Sequence, residues 1–234
     1  FSSYGATERR LVLTGSSTVA PLALEIAKRF EKQNPGVRID VQTGGSSRGI
    51  LDARKGIADI GMVSRDLKPN ESDLHAFSIA KDGIAIVLNK KNSLTRLSAE
   101  QISSIYRGKT RNWSQLGGLN LPITVVNKAE GRSTLELFLK FFKLKNSEIS
   151  AQVIIGDNEQ GIKTLSANPG AIGYVSIGAA THNLSIGVPI KLITVDGVEA
   201  TVENLKSGRF PFSRNLNLVT SVRPGGLKGR FIRF

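Results

Sequence analysis

The sequence predicts an α/β fold with largely parallel strands, on three observations. Short apolar runs alternate along the chain with windows of helical periodicity, the pattern of strands joined through helices. The 234 residues, 40% hydrophobic and 22% charged, are ordinary globular usage and enough for one large domain or two small ones around a proper core. The third feature is local: at several junctions a strand ends in glycine and hydroxyl residues before a helix starts.

Strands are expected at 11–15 (LVLTG), 37–43 (VRIDVQT), 58–64 (ADIGMVS), 83–89 (GIAIVLN) and 122–127 (PITVVN). Four more follow at 151–157 (AQVIIGD), 171–176 (AIGYVS), 190–195 (IKLITV) and 216–222 (LNLVTSV). Helices fall between most of them. From Pro21 to Gln33 a stripe of Leu22, Ile26, Ala27 and Phe30 marks a helix that the turn signal Asn34, Pro35, Gly36 stops. Ser98, with Gln101 three residues on, reads as a capping box, with Ile102, Ile105 and Tyr106 facing inward. After Ser133, Leu135, Phe138, Leu139 and Phe142 recur at helical spacing and give that helix one buried face. These stripes are core and carry no chemistry.

Lys and Arg number 32 against 19 Asp and Glu, a formal net charge of +13. That favours anionic partners: phosphate, nucleic acid or an anionic membrane face. With no cysteine, a disulfide framework, a thiol nucleophile and Cys-based metal sites are excluded. The longest apolar run, Ile84 to Leu88, falls far short of the roughly 20 residues of a spanning helix. The opening FSSYGATERR lacks the apolar run of a signal peptide, and a trimmed export product would look the same.

Nothing in the pattern points to catalysis. His75 and His182 are the only histidines, and neither a G-x-S-x-G elbow nor a P-loop occurs. His75, in SDLHAF, reads as a helix-surface or core residue, and His182 lies in a THN turn. Specific nucleic-acid binding is not expected either: aromatic residues are 6% of the chain, no recognition motif appears, and Lys140, Lys143 and Lys145 read as a solvated face.

Four junctions share one chemistry. Gly15, Ser16, Ser17 and Thr18 lead from the first strand into a helix, and Gly44, Gly45, Ser46, Ser47 and Arg48 do so after 37–43. Ser64 and Arg65 leave the third strand; Lys128, Gly131, Arg132, Ser133 and Thr134 leave 122–127. In open parallel sheets, ligands sit outside the carboxyl ends of strands, where helix starts offer unpaired N–H groups and a positive dipole end. Hydroxyls beside Arg48, Arg65, Lys128 and Arg132 make such a place rich in donors for an anion. The competing reading is a plain N-cap at Ser46 or Ser47, with Arg48 pointing to solvent. A fifth junction carries Asp157 and Glu159 and reads first as a charged N-cap.

In order along the chain, GSSTVAPLA, GGSSRGI, ADIGMVSR, DGIAIVLN, NWSQLGG (112–118), ITVVNKAEGRSTLELF, NPGAIGYVSIG and PFSRNLNLVT resemble the phosphate-binding proteins of ABC-type phosphate transporters, a periplasmic solute-binding protein family. The resemblance runs from about Leu11 to the C-terminus. It implies a two-lobed, type II periplasmic-binding-protein-like fold with two crossover strands and a ligand in the interlobe cleft. DGIAIVLN resembles the first crossover, with a return near residue 185, so lobe one would be 1–82 plus 185–234 and lobe two 83–184. Trp113 is expected at a lobe surface. The implied ligand is inorganic phosphate and the implied partners are ABC permease subunits. The protein would be a non-enzymatic monomer in the periplasm or at the extracytoplasmic cell surface, with neither metal nor organic cofactor.

Carried over position by position, Ser17, Thr18 and Val19 resemble the first-loop donors of the family, and Ser46 and Ser47 those of the second loop. Ser64 and Arg65 follow from the third junction, and Ser133 and Thr134 would donate from a helix start. Lys128 stands where family members usually have a ligand-clamping Arg, and GRST (131–134) stands where GSGT is common. Lysine is a point charge where arginine is a bidentate fork, and Arg132, four residues on, would partly replace it. At the position of Ser64 a familiar branch of the family has an acid that accepts the proton of hydrogen phosphate. Serine there leaves a sulfate-like tetrahedral oxyanion as the alternative ligand, with Asp66 and Glu130 as substitute acceptors nearby in sequence. A basic nucleic-acid or surface-interaction protein is the other alternative, on charge alone.

Overall fold

The computed structural model describes residues 9–234, so residues 1–8 of the expected lobe one lie outside the described residues. The chain begins β1 (Arg9–Gly15), α1 (Ala20–Gln33), β2 (Val37–Thr43), α2 (Ser46–Lys55), β3 (Ile60–Val63) and β4 (His75–Asn89). It continues β5 (Arg96–Leu97), α3 (Ala99–Tyr106), β6 (Thr124–Lys128), α4 (Ser133–Phe142), β7 (Val153–Ile155), α5 (Asn158–Ala167) and β8 (Ala171–Ser176). The last elements are α6 (Ile177–Ser185), β9 (Ile190–Leu192), β10 (Thr194–Val195), α7 (Val202–Lys206), β11 (Ser213–Thr220) and α8 (Gly226–Arg233).

Two compact units divide the chain: Phe1–Ala80 with Asn215–Phe234, and Lys81–Arg214. Strands β4 and β11 carry the chain from one to the other. Residues 185–214, expected in lobe one, lie in the second unit. The reason is packing: β9 pairs with β4 through Val87 and Leu192, and Ile190, Ile193, Phe210 and Phe212 share the core of β4. No periodicity in the sequence reveals that pairing.

In the first unit β1 lies between β2 and β3, parallel to both, and β11 runs antiparallel to β3. Helix α1 buries Ala23, Ala27 and Phe30, the expected stripe shifted by one face position. Helix α2 approaches the sheet at backbone distance. A Cβ on Gly49 would fall 2.7 Å from the Met62 carbonyl oxygen and 2.9 Å from that of Thr14, so only glycine fits this face. Gly61 faces Gly49 across the same contact. This close approach places the start of α2 beside the ends of β1 and β3.

In the second unit β8 lies between β4, antiparallel, and β6, parallel, with β7 parallel to β6 at the edge. The expected parallel order therefore holds for β1, β2 and β3 and for β6, β7 and β8, while β4 runs antiparallel to β8 and β11 antiparallel to β3. Phe138 of α4 stacks on Tyr174 of β8 at 4.1 Å, and Tyr106 of α3 packs against Phe138 at 4.6 Å. Trp113 is not at a surface: it is 1% exposed, and its indole N–H donates to the Gly170 carbonyl at 3.0 Å. An indole buried with its one donor satisfied is a core residue. His182 lies in α6 rather than in a turn, and His75 opens β4, exposed. Among the described residues, no helix is long and apolar enough to cross a membrane.

Candidate anion-binding site

In the first unit three hydroxyls meet where β1, β3 and α2 converge. Ser16 Oγ donates to Ser64 Oγ at 2.9 Å, and Ser46 Oγ accepts from the Ser64 backbone N–H at 3.1 Å and lies 3.4 Å from Ser64 Oγ. All three side chains are buried. The N-cap of α2 is Gly45, at φ 93°, so Ser46 is the first helical residue and not the cap, with Ser47 half-buried behind it. Ser17 and Thr18 are half-buried in the turn before α1. Ser16 Oγ accepts from the backbone N–H groups of Thr18 and Val19 at 3.1 and 3.4 Å. Ser16 was not among the expected site residues; its place in the first junction is the signal that marks it.

The two junction cations of this unit serve the scaffold. Arg65 forks onto Glu71 at 2.7 and 2.8 Å. Burial pushes the Glu71 carboxyl up, but the Arg65 hydrogen bonds and the Lys68 N–H outweigh it and hold the group below its usual range. Arg48 folds back onto Asp52, at 3.1 Å, and onto the Thr43 carbonyl. Asp66 accepts from Asn215 and is exposed.

The second unit has a different cluster. Lys128, the last residue of β6, is 3% exposed, and its Nζ donates to Asn158 Oδ1 at 2.6 Å. The β6 end is held from behind: the Tyr174 hydroxyl donates to Asn127 Oδ1 at 2.6 Å and accepts from the Lys128 backbone N–H at 3.3 Å. Among the described residues no carboxylate lies within ion-pair distance of Lys128. Burial, with repulsion from Arg214 and Arg132, lowers its pKa to about 7 against the opposing pull of Asp157. Arg132 pairs with Asp157. Arg214, 7% exposed, donates to Thr134 Oγ1 at 2.9 Å and pairs with Asp82 at 3.4 Å, and burial lowers its pKa against the pull of Asp82. Glu130 is exposed and accepts from Asn146 at 3.1 Å.

The helices at these junctions start alike. α1, α2 and α4 have no side-chain hydrogen bond at their N-caps, whereas α3, α6 and α7 are capped by Ser98, Ser176 and Thr201. Ser133 and Thr134 are the first residues of α4, both buried. Helix starts left uncapped beside hydroxyls and buried cations are suited to hold an oxyanion. Among the described residues no three His, Asp or Glu side chains gather as metal ligands would.

Residues 2–234 match the family described as PBP superfamily domain. The chain belongs to the PBP superfamily. A substrate-binding protein assigned to phosphate ABC transport, from Clostridium perfringens and solved with phosphate bound, is 33% identical over 96% of this chain and 92% of its own, with a TM-score of 0.87. An ABC-type phosphate transport receptor from Vibrio cholerae is 29% identical over 96% of this chain and 93% of its own, with a TM-score of 0.73. The phosphate-binding protein PstS of Bacillus subtilis is 29% identical over 231 residues, 96% of this chain and 74% of its own. The family resemblance and the two-lobe PBP fold class expected from the motifs are borne out. Two members of the cluster in this PBP chain escaped residue-level reading. Arg214 and Asp82 lie inside the quoted PFSRNLNLVT and DGIAIVLN stretches, 132 positions apart. Only the fold brings them together with Thr134.

Proposed function

We propose that this protein captures inorganic phosphate outside the cytoplasm and delivers it to an ABC permease, acting as a binder and not as an enzyme. The observation that carries the reading is Lys128: a buried ammonium, hydrogen-bonded to the neutral Asn158 amide, beside Arg214 and Arg132. A buried cation without a carboxylate partner is costly, and an incoming anion supplies the missing charge. The hydroxyls of Ser133 and Thr134 and the uncapped start of α4 add neutral donors of the kind that hold a desolvated oxyanion. We assign Ser17, Thr18, Val19, Ser46, Ser47 and Ser64 to anion binding as neutral donors of the first unit, with Ser16 orienting Ser64. Arg65, held on Glu71, positions the Ser64 loop.

The relatives support phosphate by name, and Ser64 supports a second reading. With a hydroxyl there, and with Asp66 and Glu130 both exposed and engaged elsewhere, neither expected substitute is set to accept a proton from the ligand. A sulfate-like oxyanion would meet the same donors. Calorimetric titration of the anion-stripped protein with phosphate and with sulfate tests both. One-to-one phosphate binding with weak sulfate binding supports the phosphate receptor. Equal affinity makes the protein a general tetrahedral-oxyanion receptor, and absence of phosphate binding overturns the proposal.

A further inference from the structure

We propose that the face of the first unit formed by α8 and the start of β4 docks onto an anionic lipid bilayer. From Asn215 to Phe234 the chain holds four cations, Arg223, Lys228, Arg230 and Arg233, and no Asp or Glu. Helix α8 turns Phe231 into the core, edge-on to Phe30 at 5.4 Å, and leaves Arg230 and Arg233 exposed. A cavity of about 420 Å³ opens beside it, lined by His75, Phe77, Arg223, Pro224, Ile232 and Arg233.

Elsewhere in the unit most arginines are paired. Arg10, Arg29, Arg54 and Arg65 each hold a carboxylate. Among the described residues, the side chains of Arg223, Arg230 and Arg233 have neither an ion pair nor a hydrogen bond. A guanidinium fork matches the oxygens of a phosphodiester. The cavity backs its two guanidiniums with the apolar walls of Phe77, Pro224 and Ile232. Val222, 60% exposed, and Phe234, 49% exposed, lie in the same C-terminal stretch. Cations interleaved with exposed apolar side chains suit the headgroup region of a membrane, which takes both. Nucleic acid offers the same phosphodiester but no apolar layer for Val222 and Phe234, so the bilayer is the better fit.

Co-sedimentation of the full chain with vesicles tests this docking face. Phosphatidylcholine vesicles containing phosphatidylglycerol should bind the protein, pure phosphatidylcholine should not, and added salt should weaken the binding. The triple variant Arg223→Gln, Arg230→Gln, Arg233→Gln should lose about tenfold or more in vesicle affinity, because each cation near an anionic surface contributes separately. The charge-matched control Lys140→Gln, Lys143→Gln, Lys145→Gln, exposed in the second unit, should keep it. Val222→Ser should weaken binding without changing charge, and phosphate affinity should be unchanged in every variant. Three results would overturn the proposal: no binding to the anionic vesicles, equal loss in both triple variants, or tighter binding to duplex DNA than to vesicles with the same sensitivity to the arginines.

Discussion

In the first unit the junction hydroxyls of Ser16, Ser46 and Ser64 bond to one another, and the nearby cations Arg48 and Arg65 are drawn off onto Asp52 and Glu71. In the second unit Lys128, Arg132 and Arg214 gather at the junction itself, accompanied by Asp157 and Asp82. Both clusters stand at strand ends facing helix starts, yet their demands differ. A hydroxyl is donor and acceptor at once, so three of them satisfy each other before any ligand arrives. An ammonium is a donor only, and burying it leaves a charge that no neighbouring hydroxyl can neutralise. A cation cluster such as that of the second unit should therefore contribute more binding free energy than a hydroxyl cluster such as that of the first, which supplies direction. Variants that break one cluster at a time separate the two roles.

The largest effect is expected at Arg214. Its pair with Asp82 is nearly dry, with side chains 3% and 9% exposed. Arg214→Met leaves the carboxylate uncompensated and should cost about 3–5 kcal/mol of stability, read by urea denaturation. Anion affinity should fall as well, since Thr134 loses the group that orients its hydroxyl. A stability change below about 1 kcal/mol, the surface-pair range, would show that the pair is not closed off from water.

Lys128→Met acts on the same cluster with the opposite sign for stability. The pKa of Lys128, lowered to about 7 by burial and then by Arg214 and Arg132, is far below the value of about 10.4 for a free lysine. Between those values the unfolded chain holds a proton that the folded chain has released, so folding stability should rise with pH across that window. In Lys128→Met the rise should flatten and stability at neutral pH should increase. Phosphate affinity should move the other way: a bound anion favours the ammonium, so binding takes up a proton, and the parent protein should bind more weakly as pH climbs above about 7. Titrations in two buffers of different ionisation enthalpy would expose the proton uptake. Lys128→Met with parent affinity would remove Lys128 from the site.

Ser46→Ala and Thr134→Ala form a matched pair across the two clusters. Each should weaken phosphate binding by about 1–3 kcal/mol, the range for losing a buried partner beside a charged group. Thr134→Ala should also loosen Arg214, whereas Ser46→Ala strips the acceptor from the Ser64 N–H. Calorimetry with phosphate and sulfate sharpens the contrast: the serine variant should change their ratio, and the threonine variant should weaken both alike.

How much of this was legible depends on the distance over which each feature is set. Helix α4 and its buried Phe138 and Phe142 follow from spacing within ten residues, and the Ser98 and Gln101 capping box follows from four. The junction hydroxyls were visible for the same reason. The antiparallel pairing of β4 and the place of residues 185–214 were not, because register between remote strands leaves no local trace. Arg65 shows the limit at one side chain. It stands two residues past the end of β3 as a ligand cation would, but Glu71, six residues on, takes its fork. Sequence placed the donor at the junction; only packing chose its acceptor.

The smallest effect is expected at Arg48, which sharpens the comparison by repeating an Arg–Asp pair in wet surroundings. Its side chain is 45% exposed against 3% for Arg214, although both pair with an aspartate that is 9% exposed. Asp52 keeps the Thr14 hydroxyl at 2.8 Å when the arginine is removed, and water reaches the vacated side. Arg48→Ala should therefore cost no more than about 1 kcal/mol in thermal or urea unfolding and leave phosphate affinity unchanged. A loss of affinity would mean that Arg48 leaves Asp52 for the ligand. The first unit would then contribute charge as well as direction, and the division of labour between hydroxyls and cations would fail at that residue.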